Sequence, residues 1–506
     1  MTQSLIYPQD AYNEELVSQV HPLDWTNPEP VDRYDLVVLG AGTAGLVVAA
    51  GAAGLGLGLK IALVEKHLMG GDCLNVGCVP SKTMIRSSRA VAAIQEARSF
   101  GVTSSDAEID FSAVMARVRQ VRSSISDHDS AHRFQKLGID VFFGKASFID
   151  RDHVQAGNRT LRFKKAVIAT GARATHPQIP GLSEADYLNN ETVFTLVDRP
   201  RRLAIIGGGP IGCEFAQAFR RLGSEVILFH QNDHVLDRED PQAAEIIQKA
   251  FIREGIQLNL NTHVERVEKT DRGKVVYFNG GSVAVDEILV GAGRSPNIEE
   301  LNLDAIGVEY DARHGVKVND YLQTSNPRVY GAGDICMNWK FTHAADAAAR
   351  IVIRNALFAP FGIARSKLSS LTMPWVTFTD PEIARVGLDE REAQRRGIAF
   401  ETIVVPFDDL DRAIADGETE GFVKIIHKRG SDQILGATIV ARHAGEMINE
   451  ITLAIVAKRG LSTLASVIHP YPTQAEAIKR AADTYYRRAL LTPTIKKLLG
   501  FVNKLS

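Results

Sequence analysis

Residues Tyr34–Lys66 read YDLVVLGAGTAGLVVAAGAAGLGLGLKIALVEK, and this stretch decides the fold. An apolar run, Leu36 to Leu39, leads into Gly40-x-Gly42-x-x-Gly45 and an Ala/Gly-rich helical segment, and a second apolar run ends at Glu65. Each glycine has a backbone task. The first makes a tight turn, the second lets a pyrophosphate approach the main chain, and the third lets helix pack closely on strand. The helix N-terminus behind them offers N–H groups to phosphate. Glu65 falls twenty residues after Gly45, where an acid can accept from a ribose hydroxyl. Strand, motif, helix, strand and acid together spell a βαβ dinucleotide unit. Residues 36–59 carry no charge and could span a bilayer by length, but their ordered glycines suit a nucleotide better.

The pattern recurs in Arg202–Gln231, RLAIIGGGPIGCEFAQAFRRLGSEVILFHQ. The strand Leu203 to Ile206 precedes Gly207-x-Gly209-x-x-Gly212, a helix, and a strand Val226 to Phe229. Two units imply two nucleotides and an α/β fold. At the end of this second strand stand His230, Gln231 and Asn232, with neither an acid for a free ribose hydroxyl nor an arginine for a 2′-phosphate.

Between the units lies Gly70–Lys82, GGDCLNVGCVPSK, in which Cys73 and Cys78 stand five residues apart. Pro80 suits the first turn of a helix, where its missing N–H is not needed. Cys78 then lies just before a helix N-terminus, whose partial positive charge favours a thiolate. Two thiols in reach of one another form a redox pair. The alternatives are two buried structural cysteines or half of a zinc site. Zinc has little support, because Cys213 and Cys336 stand alone in the chain.

At 506 residues the chain is long enough for three or four domains. A formal net charge of −2 gives no reason to expect nucleic acid as a partner. Four cysteines do not make a disulfide framework, so a reducing cytoplasm is expected, and the N-terminus lacks the basic start and apolar core of a signal peptide.

The loop GGDCLNVGCVPSK resembles the redox loop of the class I, flavin-dependent pyridine nucleotide–disulfide oxidoreductases, and other landmarks follow in that family's order. The resemblance implies FAD in the first unit and a nicotinamide dinucleotide in the second. Without an acid at residues 230–232 to repel phosphate, the reading leans to NADPH over NADH, with His230 and Gln231 as contacts. It implies a fold of two Rossmann-type domains, for FAD and NAD(P), plus a C-terminal α+β dimerisation domain. The expected boundaries are an extension, 1–33; FAD-binding parts, 34–183 and 313–372; an NAD(P)-binding domain, 184–312; an interface domain, 373–488; and a basic amphipathic tail, 489–506.

Site residues carry over with the resemblance. Cys78 is the thiol facing flavin, and Cys73 the outer thiol that meets the acceptor. Lys82 pairs with Glu214 where hydride arrives. Thr170 and Gly171 lie in AVIATGARATHPQIPGL, which leads out of the first part of the flavin domain, while Gly293 and Arg294 lie in LVGAGRSPN, which closes the second unit. Asp334 of TSNPRVYGAGDI holds the ribityl chain, and the helix opened by Thr342, His343 and Ala344 points at the flavin ring. His343 itself reads as a local packing residue. The C-terminal domain is expected to make a homodimer and to complete each active site with residues of the partner chain.

The segment HPYPTQAE, His469–Glu476, divides the family. Thiol-handling branches carry a catalytic histidine five residues before the glutamate, and here that count lands on Tyr471, with His469 two residues early. Mercuric reductases carry tyrosine at this place, and SKTMIR, FTDPEIARVG and RAIADGETEGFVKI also read like that branch. The chain departs from it in two ways. No cysteine precedes Cys73, so a metal-binding N-terminal module is not expected, and none follows Cys336, so the terminal cysteine relay is missing. The expected enzyme reduces a thiol-bound metal such as Hg(II), with Cys73 and Cys78 as transient ligands and no structural metal. The alternatives are a dihydrolipoamide or disulfide oxidoreductase, and a redox-sensing or membrane-associated flavoprotein whose C-terminal helix makes weak contact with a membrane surface.

Overall fold

The computed structural model describes residues 5–103, 105, 107–359 and 362–490. The tail expected to touch a membrane surface lies outside the described residues from position 491 onward. Contacts divide the chain into two compact units. The first comprises Met1–Gly207, Ala218–Phe229 and Thr262–Leu371, and the second Gly208–Gln217, His230–Asn261 and Thr372–Ser506.

In the first unit the stretch opening the sequence analysis folds as β1 (Tyr34–Leu39), α1 (Thr43–Ala53) and β2 (Ile61–Glu65). The uncharged segment 36–59 is therefore divided between strand, turn and helix. No helix among the described residues is long and apolar enough to cross a membrane. The redox loop gives the short helix α2 (Gly71–Asn75) and the long α3 (Cys78–Glu96). Two later strands, β3 (Ile139–Phe143) and β4 (Arg159–Ile168), flank β1 and β2 in a parallel sheet of order β3-β2-β1-β4. Its register aligns Leu39 with Val64 and with Ile168. Tyr34, Val37, Leu39, Ala62 and Phe163 are fully or almost fully buried, so near-continuous apolar runs form a sheet covered on both faces.

The second glycine motif lies between β5 (Arg202–Ile206) and α4 (Pro210–Arg221), with β6 (Glu225–Phe229) beyond the helix. β5 pairs in parallel with β6 and with β7 (Glu287–Val290). The chain then returns to the first sheet with β8 (Val329–Gly331), parallel to β4, and α5 (Thr342–Leu357) follows.

The second unit is built on an antiparallel sheet of five strands. These are β9 (Pro374–Thr377), β10 (Glu382–Gly387), β11 (Phe400–Pro406), β12 (Phe422–Lys428) and β13 (Ile434–Ala441), in the order β9-β10-β13-β12-β11. The helices α6 (Ala444–Val456) and α7 (Glu476–Leu490) share its core, where Val423, Ile439, Ile451 and Ile478 are fully buried.

The polar, proline-dotted extension contains a feature its composition did not announce. Residues Ala11–Val20 form a helix that buries Leu16 and Val20 completely. Asp10 caps that helix and pairs with Arg119, while Arg122 donates to Asn13 at 2.7 Å.

Candidate active site

Gly40 adopts a φ of +98°, and a Cβ there would stand 2.4 Å from the carbonyl oxygen of Ala169. A Cβ on Gly45 would come within 1.8 Å of the Gly40 oxygen, so this glycine is required by helix-on-strand packing. Gly42 caps α1 with no side-chain bond to its first N–H groups, which leaves that end of the helix open to an anion. Gly45→Ala should therefore lower stability by at least about 2 kcal/mol, the cost of overpacking a rigid contact, read from the denaturation midpoint.

Glu65 is half-buried beside this turn. It accepts from Ala41 N–H at 2.7 Å and from His67 N–H at 2.8 Å. Burial pushes its carboxyl above the ordinary range, and the backbone donors oppose the rise.

The redox loop is built against the same glycines. Gly70, at φ +91°, donates its N–H to Ala41, and a Cβ on Gly71 would stand 2.6 Å from the Gly42 Cα. The doubled glycine of GGDC thus lets α2 pack directly on the nucleotide turn. Asn75 ties the end of α2 back to Met69 and Gly71 at 3.0 and 2.9 Å, and Arg122 donates to the Asn75 carbonyl at 3.0 Å. Cys78 is the first residue of α3, one place further into the helix than the sequence suggests, and Pro80 sits in its first turn. Cys78 is exposed and Cys73 half-buried. The Cys78 Sγ lies 3.4 Å from the Thr342 hydroxyl, which brings the thiol pair to the N-terminus of α5. The Cys73 thiol is pushed far above its ordinary range, first by its hydrogen bond to Cys78 and then by burial, with Thr342 opposing.

Arg294 lies elsewhere than its place at the close of the second nucleotide unit suggested. Its strand, Arg294–Pro296, pairs with Ala172–Ala174, and its guanidinium donates to the Ala172 carbonyl at 2.7 Å. It also pairs with Asp72 of the redox loop, and its Nε lies 3.3 Å from Asp334. Gly293 precedes it at φ +85°. Burial pushes the Asp334 carboxyl up, and Arg294 opposes that rise. Thr170 and Gly171 are held close by, with the Thr170 hydroxyl donating to the Asn297 carbonyl at 2.9 Å and Gly171 at φ +69°. His343 stacks flat on Phe341, with ring centroids 5.3 Å apart.

At the second motif Gly207 has φ +114°, Gly212 is buried, and a Cβ on Gly209 would meet nothing within 4 Å, an open approach suited to phosphate. His230 Nδ1 accepts from Gly208 N–H at 3.1 Å, while its buried Nε2 has no hydrogen-bond partner among the described residues. Burial holds His230 below the ordinary imidazole range. Gln231 is exposed. Residues 230–232 contain no acid, yet the following loop folds Asp237 back to accept from Asn232, close enough to act on His230.

Lys82 lies on α3, four residues after Cys78, and the other expected residues are far from the thiols in sequence. Lys82 belongs to the first unit and Glu214 to the second, where Glu214 Oε1 accepts from Phe378 N–H at 3.0 Å. Tyr471 is 71% exposed and donates to Asp411 at 2.9 Å, which pushes its phenol up. Glu476 opens α7 and pairs with Arg480 at 3.0 Å. His469 is paired with Glu450 at 3.1 Å, a contact no spacing in the sequence indicated. Asp72 was legible only as a neighbour of Cys73, and Asp237 carried no local signal at all.

Two nucleotide turns, a sheet reached by a local thiol pair and a separate antiparallel unit define a flavin-linked disulfide oxidoreductase. The chain belongs to the pyridine nucleotide–disulphide oxidoreductases, matching that family's model over residues 34–349 and its dimerisation-domain model over residues 373–482. Enzymes of this kind use FAD and NAD(P)H, and the matched dimerisation domain supports a homodimer. Mercuric reductase from Lysinibacillus sphaericus is 35% identical over 458 residues, covering 90% of this chain and 83% of that one. Dihydrolipoyl dehydrogenase from Chlamydia muridarum is 35% identical over 472 residues, covering 92% of this chain and all of that one. A solved Cu(II) complex of a HOCl-induced flavoprotein disulfide reductase from Escherichia coli superposes with a TM-score of 0.79 at 27% identity, covering 88% of this chain and 98% of that one.

Proposed function

We propose that this enzyme passes two electrons from NADPH to the Cys73–Cys78 pair and on to a thiol-bound soft metal such as Hg(II). The balance is NADPH plus Hg(II) giving NADP⁺, one proton and Hg(0). Bound FAD supplies the two-electron relay between nicotinamide and disulfide. The glycine turn, Glu65, Thr170, Gly171 and Asp334 would hold FAD, and Gly207, Gly209, Gly212 and His230 the nicotinamide dinucleotide. Lys82 and Glu214 would form the pair beside the flavin. Thiolates bind soft cations well.

The observation that carries the reading is the residue at position 471. A phenol bonded to Asp411 and pushed above its ordinary range is a poor proton acceptor near neutral pH. A metal acceptor needs no such base, whereas a disulfide acceptor does. Kinship with mercuric reductases and the Cu(II) complex of the E. coli relative support the same choice.

The second reading, a disulfide or dihydrolipoamide oxidoreductase, is favoured by the His469–Glu450 pair, an imidazole oriented by a carboxylate at 3.1 Å. Steady-state NADPH oxidation with thiol-complexed Hg(II), lipoamide and a quinone separates the readings. Hg(II) should be the best acceptor. Lipoamide turnover without Hg(II) turnover selects the second reading, and activity with quinone alone rejects both.

His230 sets the choice of nicotinamide in this proposal. A 2′-phosphate favours the protonated imidazole, whereas burial shifts that imidazole towards its neutral form, with Asp237 opposing. The preference in kcat/KM for NADPH over NADH should therefore be about tenfold, or ~1.4 kcal/mol, near pH 6, and should shrink as pH rises. His230→Asn should flatten this pH dependence, and an NADH preference at every pH would remove His230 from the role.

A further inference from the structure

The second unit holds a groove of about 580 Å³ against β10 of its sheet, lined by Asp237, Arg238, Arg385, Asp389, Arg391, Glu392, Gln394 and Arg395. Four guanidinium groups and three carboxylates face the same space, and they are not equally committed. Asp237 accepts from Asn232. Asp389 caps the helix Glu390–Arg395 through Glu392 N–H at 2.5 Å and pairs with Arg385 at 3.1 Å. Glu392 pairs with Arg396. All three acids therefore already have partners.

The arginines divide into floor and rim. Arg385 is only 4% exposed, lies over the Trp375 ring at 4.8 Å and donates to the Arg238 carbonyl at 3.0 Å. Its buried Nε has no hydrogen-bond partner among the described residues. Arg391 is exposed, but its guanidinium is held by the Glu239 carbonyl at 2.6 Å. At the rim, Arg238 and Arg395 are exposed, and no hydrogen bond or ion pair joins either guanidinium to another described residue. Like charges converging on one space repel unless an anion lies between them, and guanidinium groups match phosphate oxygens bidentately. The volume suits a small molecule.

We infer that this groove binds a small anion carrying at least two phosphoryl groups, with Arg238 and Arg395 gripping it beside Arg391 and over the buried Arg385. The groove borders the second dinucleotide turn, where Leu236 donates to the Gly208 carbonyl at 2.8 Å and Asp237 acts on His230, so the test must separate the two. Because the rim arginines are exposed and their guanidinium groups make no hydrogen bond or ion pair among the described residues, their removal should leave the fold and the NADPH-dependent activity intact.

Inorganic pyrophosphate is the probe, titrated calorimetrically into the FAD-loaded enzyme at constant ionic strength. Binding should weaken at least tenfold in the double variant Arg238→Gln, Arg395→Gln. It should be unchanged in Lys249→Gln, a basic residue of the same unit outside the groove, and unchanged by saturating NADPH. Equal affinity in the double variant and the wild type, or equal affinity for sulfate, means an adventitious ion only and overturns the inference. Displacement by NADPH also overturns it, by assigning the anion to the dinucleotide site. The NADPH-dependent activity and thermal midpoint of the double variant should match the wild type, so that a loss of binding reads on the groove.

Discussion

Cys78→Ser and Cys73→Ser should each reduce acceptor-dependent NADPH oxidation by several orders of magnitude, because a dithiol relay fails when either sulfur is missing. The two variants should differ spectroscopically. Cys78 opens α3 and touches Thr342 at the N-terminus of α5, while the Cys73 thiol is hydrogen-bonded to Cys78 and pushed up. With Cys73 replaced, Cys78 has no disulfide partner and stays reduced. The FAD-loaded Cys73→Ser protein should then show a long-wavelength absorbance band without any reductant, and Cys78→Ser should never show it. An independent readout is thiol titration: two-electron reduction should release two additional reactive thiols in the wild type and none in either variant. Unchanged thiol counts and spectra throughout would end the disulfide proposal, whatever the acceptor.

Tyr471→His is expected to give the second large effect. In one chain Tyr471 is exposed and bonded only to Asp411 among the described residues, five residues before Glu476. An imidazole there would restore a histidine–glutamate spacing suited to proton exchange with a dithiol. Activity on lipoamide or small disulfides should rise by about 10²–10⁴-fold, the range of a positioned general acid–base. Tyr471→Phe should instead lower turnover with Hg(II) and leave the NADPH-dependent reduction of the thiol pair intact. If the wild type already reduces disulfides well, and His469→Ala rather than Tyr471→Phe abolishes it, the His469–Glu450 pair is the working base. The disulfide reading would then replace the metal reading.

Both nucleotide units were legible from sequence because their constraints are local. A glycine at φ +98° or φ +114°, or one whose Cβ would strike a neighbouring carbonyl, is needed at one position and leaves a fixed spacing. The thiol pair is equally local: Cys73, Cys78 and Pro80 are placed by two turns of helix. The two glycines before Cys73 carried a further meaning that spacing could not express, since only the folded chain puts Gly71 against Gly42.

What tertiary structure alone decided is where charged and polar side chains from distant segments meet. Arg294 joins Asp72 and Asp334, residues more than two hundred and forty positions away from one another, so its place in the second glycine unit said nothing of its partners. Asp237 reaches the surroundings of His230 through a loop, and a search confined to the strand end could not see it. The helix Ala11–Val20 was hidden by polar composition, because two apolar residues suffice once Arg122 binds Asn13 on the same buried face and Arg119 holds the capping Asp10. The arginine groove draws on Arg238 and on Arg385 to Arg395, segments that carry no shared pattern. Backbone requirements select residue types one position at a time and so are written along the chain. Pairing of long side chains depends on which segments the packed core brings together, and that is settled only when the chain folds.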